Sequence, residues 1–197
     1  MTTMNTQTWL ILGGVLVLAL LALGAWYFYQ RTQTRRLEQR FGPEYGRALA
    51  ALGSRKEAEA ELKAREQRVG QLSIVPLTPA DAARYGQAWK VLQGNFVDNP
   101  KGVVAQADQL VREVLLKRGY PMGDFERRAA DISVDHPSVV SNYRAAQAIA
   151  ARDQRGEADT EELRKAVVLL RALFDELLEE RKVKPEATLT KQAEMHS

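Results

Sequence analysis

A chain of 197 residues with a net charge of +3 and no cysteine has room for one domain of ordinary size beside an anchor. It excludes disulfides, thiolate metal sites and a cysteine nucleophile. The cationic excess is local, because residues 1–30 carry no charge, residues 31–40 hold four Arg and one Glu, and residues 41–197 hold 24 basic and 24 acidic side chains. A balanced soluble part argues against nucleic acid as a partner, which requires a cationic face that displaces condensed counterions.

In chain order, residues 1–8 form a short uncharged flank, and the 21 residues from Trp9 to Tyr29 contain no charge. Roughly twenty apolar residues in a helix cover the ~30 Å hydrocarbon core of a bilayer. A helix is the form that satisfies every backbone polar group in lipid, so residues 9–29 read as a single transmembrane helix. Trp9 marks one interface, and Trp26, Tyr27 and Tyr29 mark the other. Ala22 and Gly24 ahead of Ala25 offer a small-x-small cleavage site, but a signal peptide carries a positive n-region and Met1–Thr8 has no Lys or Arg. An uncleaved anchor is therefore expected. A buried core helix is the third reading, opposed by the aromatics gathered at both ends. Arg31, Arg35, Arg36 and Arg40 follow at once and, by the retention of basic residues on the cytoplasmic side, predict an outside amino terminus and a cytoplasmic bulk. No small residues four apart lie within the span, so tight pairing of two spans is not expected.

Residues 30–72 read as a basic juxtamembrane segment and a charged helical stalk. Gly42 and Pro43 interrupt the first helix, and Phe41 and Tyr45 beside them suit either a second aromatic anchor or a turn packed on the domain, with packing favoured. A short helix through Ala48–Leu52 should end at Gly53, and Ser54 with Glu57 forms a capping box for the next. That next segment, 54–72, pairs Glu59 with Lys63 and Glu61 with Arg65 at i to i+4. Its apolar face is thin, limited to Ala58, Leu62, Val69 and Leu72, which suggests a solvated stalk or an outer bundle member.

Pro76 and Pro79 mark residues 73–79 as a linker. Residues 80–181 then read as a bundle of about four long antiparallel helices. Thr78 and Pro79 open the first, whose face is Ala82, Tyr85, Trp89, Leu92 and Phe96. Val104, Ala107, Val111 and Val114 line the second, stopped at Gly119. A short helix over Asp124–Ile132 precedes a third long one faced by Val139, Tyr143, Ala146 and Ala150. Asp159 and Glu162 cap the last, with Leu163, Val167, Leu170, Phe174 and Leu177. The fold class expected is all-α, and residues 182–197 form a polar tail expected to be mobile.

Chemistry concentrates at Glu126, Asp131, Asp135 and His136, with Tyr143 and Arg144 two turns on. Asp, Glu and His together suit a divalent metal or acid–base work. The bland reading makes Asp135 a helix cap, pairs Asp131 with Arg127 or Arg128, and packs His136 as a structural histidine. The phosphate-cradling, dinucleotide-binding, zincin and nucleophile-elbow motifs do not occur. No cofactor and no metal is expected. On the last helix, residues 160–181, Leu169 and Leu173 widen the apolar surface. This suits either a homo-oligomer contact or a central bundle position.

Arg40-Phe41-Gly42-Pro43-Glu44-Tyr45, Arg128-Ala129-Ala130-Asp131, Val134-Asp135-His136-Pro137 and Leu173-Phe174-Asp175-Glu176-Leu177-Leu178 together resemble a family of uncharacterised bacterial single-pass membrane proteins. The resemblance covers most of residues 10–180. It implies bacterial origin and the same anchor-plus-helices layout, and it assigns no binding or catalytic residue; the location expected is the bacterial inner membrane. The function expected is a membrane-anchored adaptor or scaffold whose partners are the lipid bilayer and another protein. The alternative is a small membrane-tethered hydrolase or metal-dependent enzyme using Asp131, Asp135 and His136, and a scaffold facing the cell exterior is a third reading.

Overall fold

The structure, a computed structural model, describes residues 6–179, without the side chains of residues 6–13, Val17 and Ala19. The first five residues, the interfacial placement of Trp9 and the tail 182–197 lie outside the described residues. Every regular element among those described is an α-helix, eight in all. They fall into two units, residues 1–62 and residues 63–197.

In the first unit α1 runs without a break from Thr6 to Phe41. Its 36 residues correspond to ~54 Å of helix. From Gly14 onward it is long and apolar enough to cross a membrane, with none of its apolar window buried inside the protein. It stops because Gly42 takes a left-handed φ of 49°, and Pro43 then opens α2 (Pro43–Leu52), where its missing N–H costs nothing. Gly53, at φ 67°, ends α2 in the expected left-handed cap. The short helix thus begins five residues earlier than the Ala48 start expected.

The third helix, α3 (Arg55–Gly70), begins after a long contact of 3.5 Å from the Glu57 N–H to Ser54 Oγ. Its thin stripe is not solvated. Ala58 and Leu62 are buried, as are Leu37, Phe41, Tyr45 and Ala48. Thr34 and Tyr45 both donate to Glu59 Oε1, at 2.7 and 3.2 Å, so α1, α2 and the start of α3 close on one another. Phe41 and Tyr45 are therefore packed within the protein rather than set against headgroups, and the stalk expected over 30–72 is in part a small core.

In the second unit the end of α3 buries Val69, and residues 71–78 are not helical. Four longer helices follow, α4 (Pro79–Gly94), α5 (Pro100–Arg118), α7 (Pro137–Gln154) and α8 (Thr160–Glu179), with the short α6 (Phe125–Asp135) between α5 and α7. Their starts obey local chemistry. Thr78 Oγ1 accepts from the Asp81 N–H at 3.0 Å, Asn99 from the Gly102 N–H at 3.0 Å, and Asp159 and Glu162 cap reciprocally at 2.8 and 3.1 Å. The core gathers Tyr85, Trp89 and Leu92 of α4 with the buried valines of α5, Tyr143 and Ala146 of α7 and the heptad face of α8. Trp89 lies 4.5 Å, centroid to centroid, from Phe174. Helix α8 packs against both α5 and α7, which buries Leu173 and partly buries Leu169. Its widened apolar surface thus serves a central position.

Residues 73–75 lie along the carboxyl end of α5. The Val75 N–H donates to the Arg118 carbonyl at 2.9 Å. A Cβ added at Gly119, whose φ is 99°, would come 2.6 Å from the Ser73 carbonyl oxygen. Here glycine answers two demands at once, a left-handed cap and the close approach of another backbone.

Candidate functional site

The polar cluster is built on α6, a helix that buries charge as well as apolar groups. Asp124 Oδ1 accepts from the Arg127 N–H at 2.8 Å to start it. Its inner face then carries Arg128, Asp131 and Ser133 among Ala129 and Ile132, all buried. His136 is the junction residue between the end of α6 and the start of α7. Its backbone (φ −126°, ψ 55°) leaves the helical region because Pro137 follows. The His136 N–H still donates to the Ile132 carbonyl at 2.8 Å.

Asp131 is 1% exposed and pairs with Arg68. Arg68 Nε and Nη2 both reach Oδ1, at 2.9 and 2.8 Å. The expected partners Arg127 and Arg128 are thus corrected. Arg127 is exposed, while Arg128 turns away to donate to the Tyr143 hydroxyl at 2.9 Å and the Gly123 carbonyl at 3.0 Å. Asp131 Oδ2 is buried and accepts no hydrogen bond.

Asp135 is the last residue of α6 rather than a cap for α7, and its carboxylate accepts from the Tyr120 hydroxyl at 2.9 Å. Burial and the Asp135 charge push the Tyr120 phenol well above its ordinary range, so it stays protonated and donates. His136 is 1% exposed and sets Nδ1 3.5 Å from Glu176 Oε1 on α8. Glu126 pairs with Arg144 across α6 and α7. Tyr143, raised to about 12 by burial and by Asp108, accepts from Arg128 and donates to Asp108 Oδ1 at 3.4 Å. Of the six residues of the sequence cluster, Glu126 and Arg144 thus pair with each other, while Asp131, Asp135, His136 and Tyr143 take partners outside it, on α3, the α5–α6 loop, α8, and α5 and α6. Among the described residues, no three His, Asp or Glu side chains gather closely enough to hold a metal ion.

Arg118 escaped the sequence reading because a basic residue in the last turn of a helix is ordinary. It is 2% exposed, and its Nη1 donates to the Leu177 carbonyl at 3.3 Å and its Nε to the Val75 carbonyl at 3.4 Å. It joins α5, the carboxyl end of α8 and the segment after α3. A shallow groove of about 300 Å³ beside α5 and α7 is lined by charges that answer one another, Lys101 with Asp153 at 3.1 Å and Arg112 with Asp108 at 3.5 Å.

No protein-family model, curated protein or solved structure matches the chain. What the site can do rests on its own geometry, which is that of charged groups holding helices together.

One consequence is a dependence of stability on pH. Burial, and secondarily the Arg118 charge, lower the His136 pKa, opposed by Glu176. The folded state then favours the neutral ring, and the unfolded chain takes up a proton first as pH falls below about 6.5. The contribution of His136 is complete above that value and shrinks on acidification toward the folded pKa. Thermal melts of the full chain in detergent at pH 7.5 and 5.5 should show a lower Tm at the acid end. His136→Gln should flatten that difference, and an unchanged slope in the variant would assign the pH dependence elsewhere.

Proposed function

We propose that the protein is a single-pass membrane-anchored adaptor, with an outside amino terminus and a helical domain in the bacterial cytoplasm that presents a surface to another protein. The observation that carries the anchor is exposure. The ten large apolar side chains from Val15 to Tyr29 whose surroundings are described are each 59–73% exposed. Contiguous apolar surface on that scale is not sustained in water, and hydrocarbon covers it without loss of backbone hydrogen bonds. Trp26, Tyr27 and Tyr29 sit at one end of that surface, and the exposed Arg31, Arg35, Arg36 and Arg40 follow, which supports a cytoplasmic bulk.

The short connections between α4 and α5 and between α7 and α8 support an antiparallel bundle of four long helices, with α6 inserted. Adaptor rather than enzyme is supported by the use made of the chemically capable side chains, since Asp131, Asp135 and His136 each bind a different element of the fold.

The full chain should remain in the membrane pellet after carbonate extraction. Leu20→Arg, near the middle of the span, should impair insertion, because an arginine there costs on the order of 2.5–3.5 kcal/mol. Release by carbonate would refute the anchor. Protease should reach the helical domain in inverted vesicles and not in intact cells. The reverse pattern would place the domain outside and replace the cytoplasmic adaptor by an external scaffold.

A further inference from the structure

The helix α1 does not end where its apolar stretch ends. It continues through Phe41, and the last twelve of its residues, 30–41, add ~18 Å of helix past Tyr29. One side of this extension is held by the rest of its unit. Thr34 donates to Glu59 at 2.7 Å, and Leu37 and Phe41 are buried. At ~100° per residue, positions 34, 37 and 41 fall within an arc of about 60°. That arc is the packed side.

The same geometry decides where the arginines go. Arg35 and Arg36 lie about 130° to either side of the centre of the packed arc, and Arg31 lies about 90° from it. All three are exposed. Glu38, the acidic residue of the extension, is exposed as well; it lies about 70° from that centre, at the border of the packed side and near Tyr45, on which its charge acts. Three exposed arginines against this one carboxylate leave a net cationic face on a helix whose rotation is fixed by α2 and α3.

Height along the axis matters as well as direction. Arg31 lies ~3 Å beyond Tyr29, and Arg35 and Arg36 lie ~9–10 Å beyond it. Helical side chains lean toward the amino terminus, which here means back toward the apolar stretch. The polar layer on each side of the hydrocarbon is ~5–8 Å deep. Long side chains leaning that way bring three guanidinium groups to the depth of lipid phosphates. A guanidinium fork matches two phosphate oxygens with two parallel N–H donors, which favours arginine over a point charge in this role.

We infer that Arg31, Arg35 and Arg36 form a binding face for the phosphates of anionic phospholipids in the leaflet at the carboxyl end of the span. This rests on the reading of α1 as a transmembrane helix. The lipid is selected by charge at a face that the protein core orients, so it acts as a ligand that holds the helix at a set depth and rotation beneath the domain.

The test uses the full chain reconstituted in phosphatidylcholine vesicles carrying a trace of spin-labelled phosphatidylglycerol or spin-labelled phosphatidylcholine. The fraction of label immobilised at the protein is read by electron paramagnetic resonance. A basic group at an anionic surface is worth about five-fold in association, and three together should give clear selection of the glycerol lipid. Arg31→Gln/Arg35→Gln/Arg36→Gln should abolish that selection, while the equally discharged Lys63→Gln/Lys90→Gln/Lys165→Gln should keep it. Exchanging chloride for inorganic phosphate at equal ionic strength should leave selection unchanged, and its loss would make free phosphate the ligand and overturn the proposal. Equal association of both lipids, or selection surviving in the arginine variant, also overturns it. Carbonate extraction of the same vesicles separates the two failures, since a retained protein without lipid selection sinks only the binding face, and a released protein sinks the span as well.

Discussion

Arg68→Ala is expected to destabilise the helical domain by about 3–5 kcal/mol, the cost of removing one partner of a buried ion pair. The asymmetry of the pair sets the size. The Arg68 side chain is 25% exposed, whereas that of Asp131 is 1% exposed, so the screened attraction itself contributes little and the uncompensated carboxylate contributes most. Asp131 Oδ2 already lacks a hydrogen bond, which leaves nothing in reserve when Oδ1 loses both of its donors. Removing both charges together, as Arg68→Met with Asp131→Leu, should recover most of the loss, because apolar side chains of similar volume carry no desolvation cost. Chemical denaturation of the full chain in detergent, followed by far-ultraviolet circular dichroism, compares the parent, the single variant and the double variant. An Arg68→Ala protein as stable as the parent would show that the pair does not hold α3 to α6, and would return Asp131 to consideration as a chemical group.

Trp89→Ala should cost a similar amount, about 3–5 kcal/mol, by a different mechanism. Trp89 is fully buried at the meeting of α4 and α8, with Phe174 at 4.5 Å and the Arg171 guanidinium 5.5 Å from its ring centroid. Alanine leaves a cavity that the surrounding helices fill only in part. Trp89→Phe should be much milder, because the buried indole N–H has no acceptor and its removal offsets some of the lost contact. Thermal melts of the two variants side by side test this. Equal losses from alanine and phenylalanine would mean that the indole nitrogen matters more than the volume.

The elements that were legible in the sequence are those written by neighbours a few residues apart. On α8, Leu163, Val167, Leu170, Phe174 and Leu177 are all buried, as the alternation of four and three requires, and Asp159 with Glu162 caps it as their spacing requires. Thr78 before Pro79 and Gly119 after Arg118 act where local chemistry places them. The site was legible only as a list of residue types. Asp131 takes a partner 63 positions away, and His136 one 40 positions away. No periodicity carries such pairings. Phe41 and Tyr45 were undecided too, with packing only favoured, since an aromatic beside a turn serves headgroups or a core until the neighbouring helix is in place.

Residue order alone determined the run of helices, their caps and the uncharged stretch with its arginine collar, because these depend on backbone geometry and on contacts within one or two turns. Tertiary structure decided which charges meet and which face outward. It turned the thin stripe of α3 into part of a core, drew Arg118 inside to hold α8 and the segment after α3, and set Arg35 and Arg36 opposite Leu37 and Phe41. The reason is that burial strengthens an electrostatic pair and excludes an unpaired one, and burial is a property of elements brought together from distant parts of the chain.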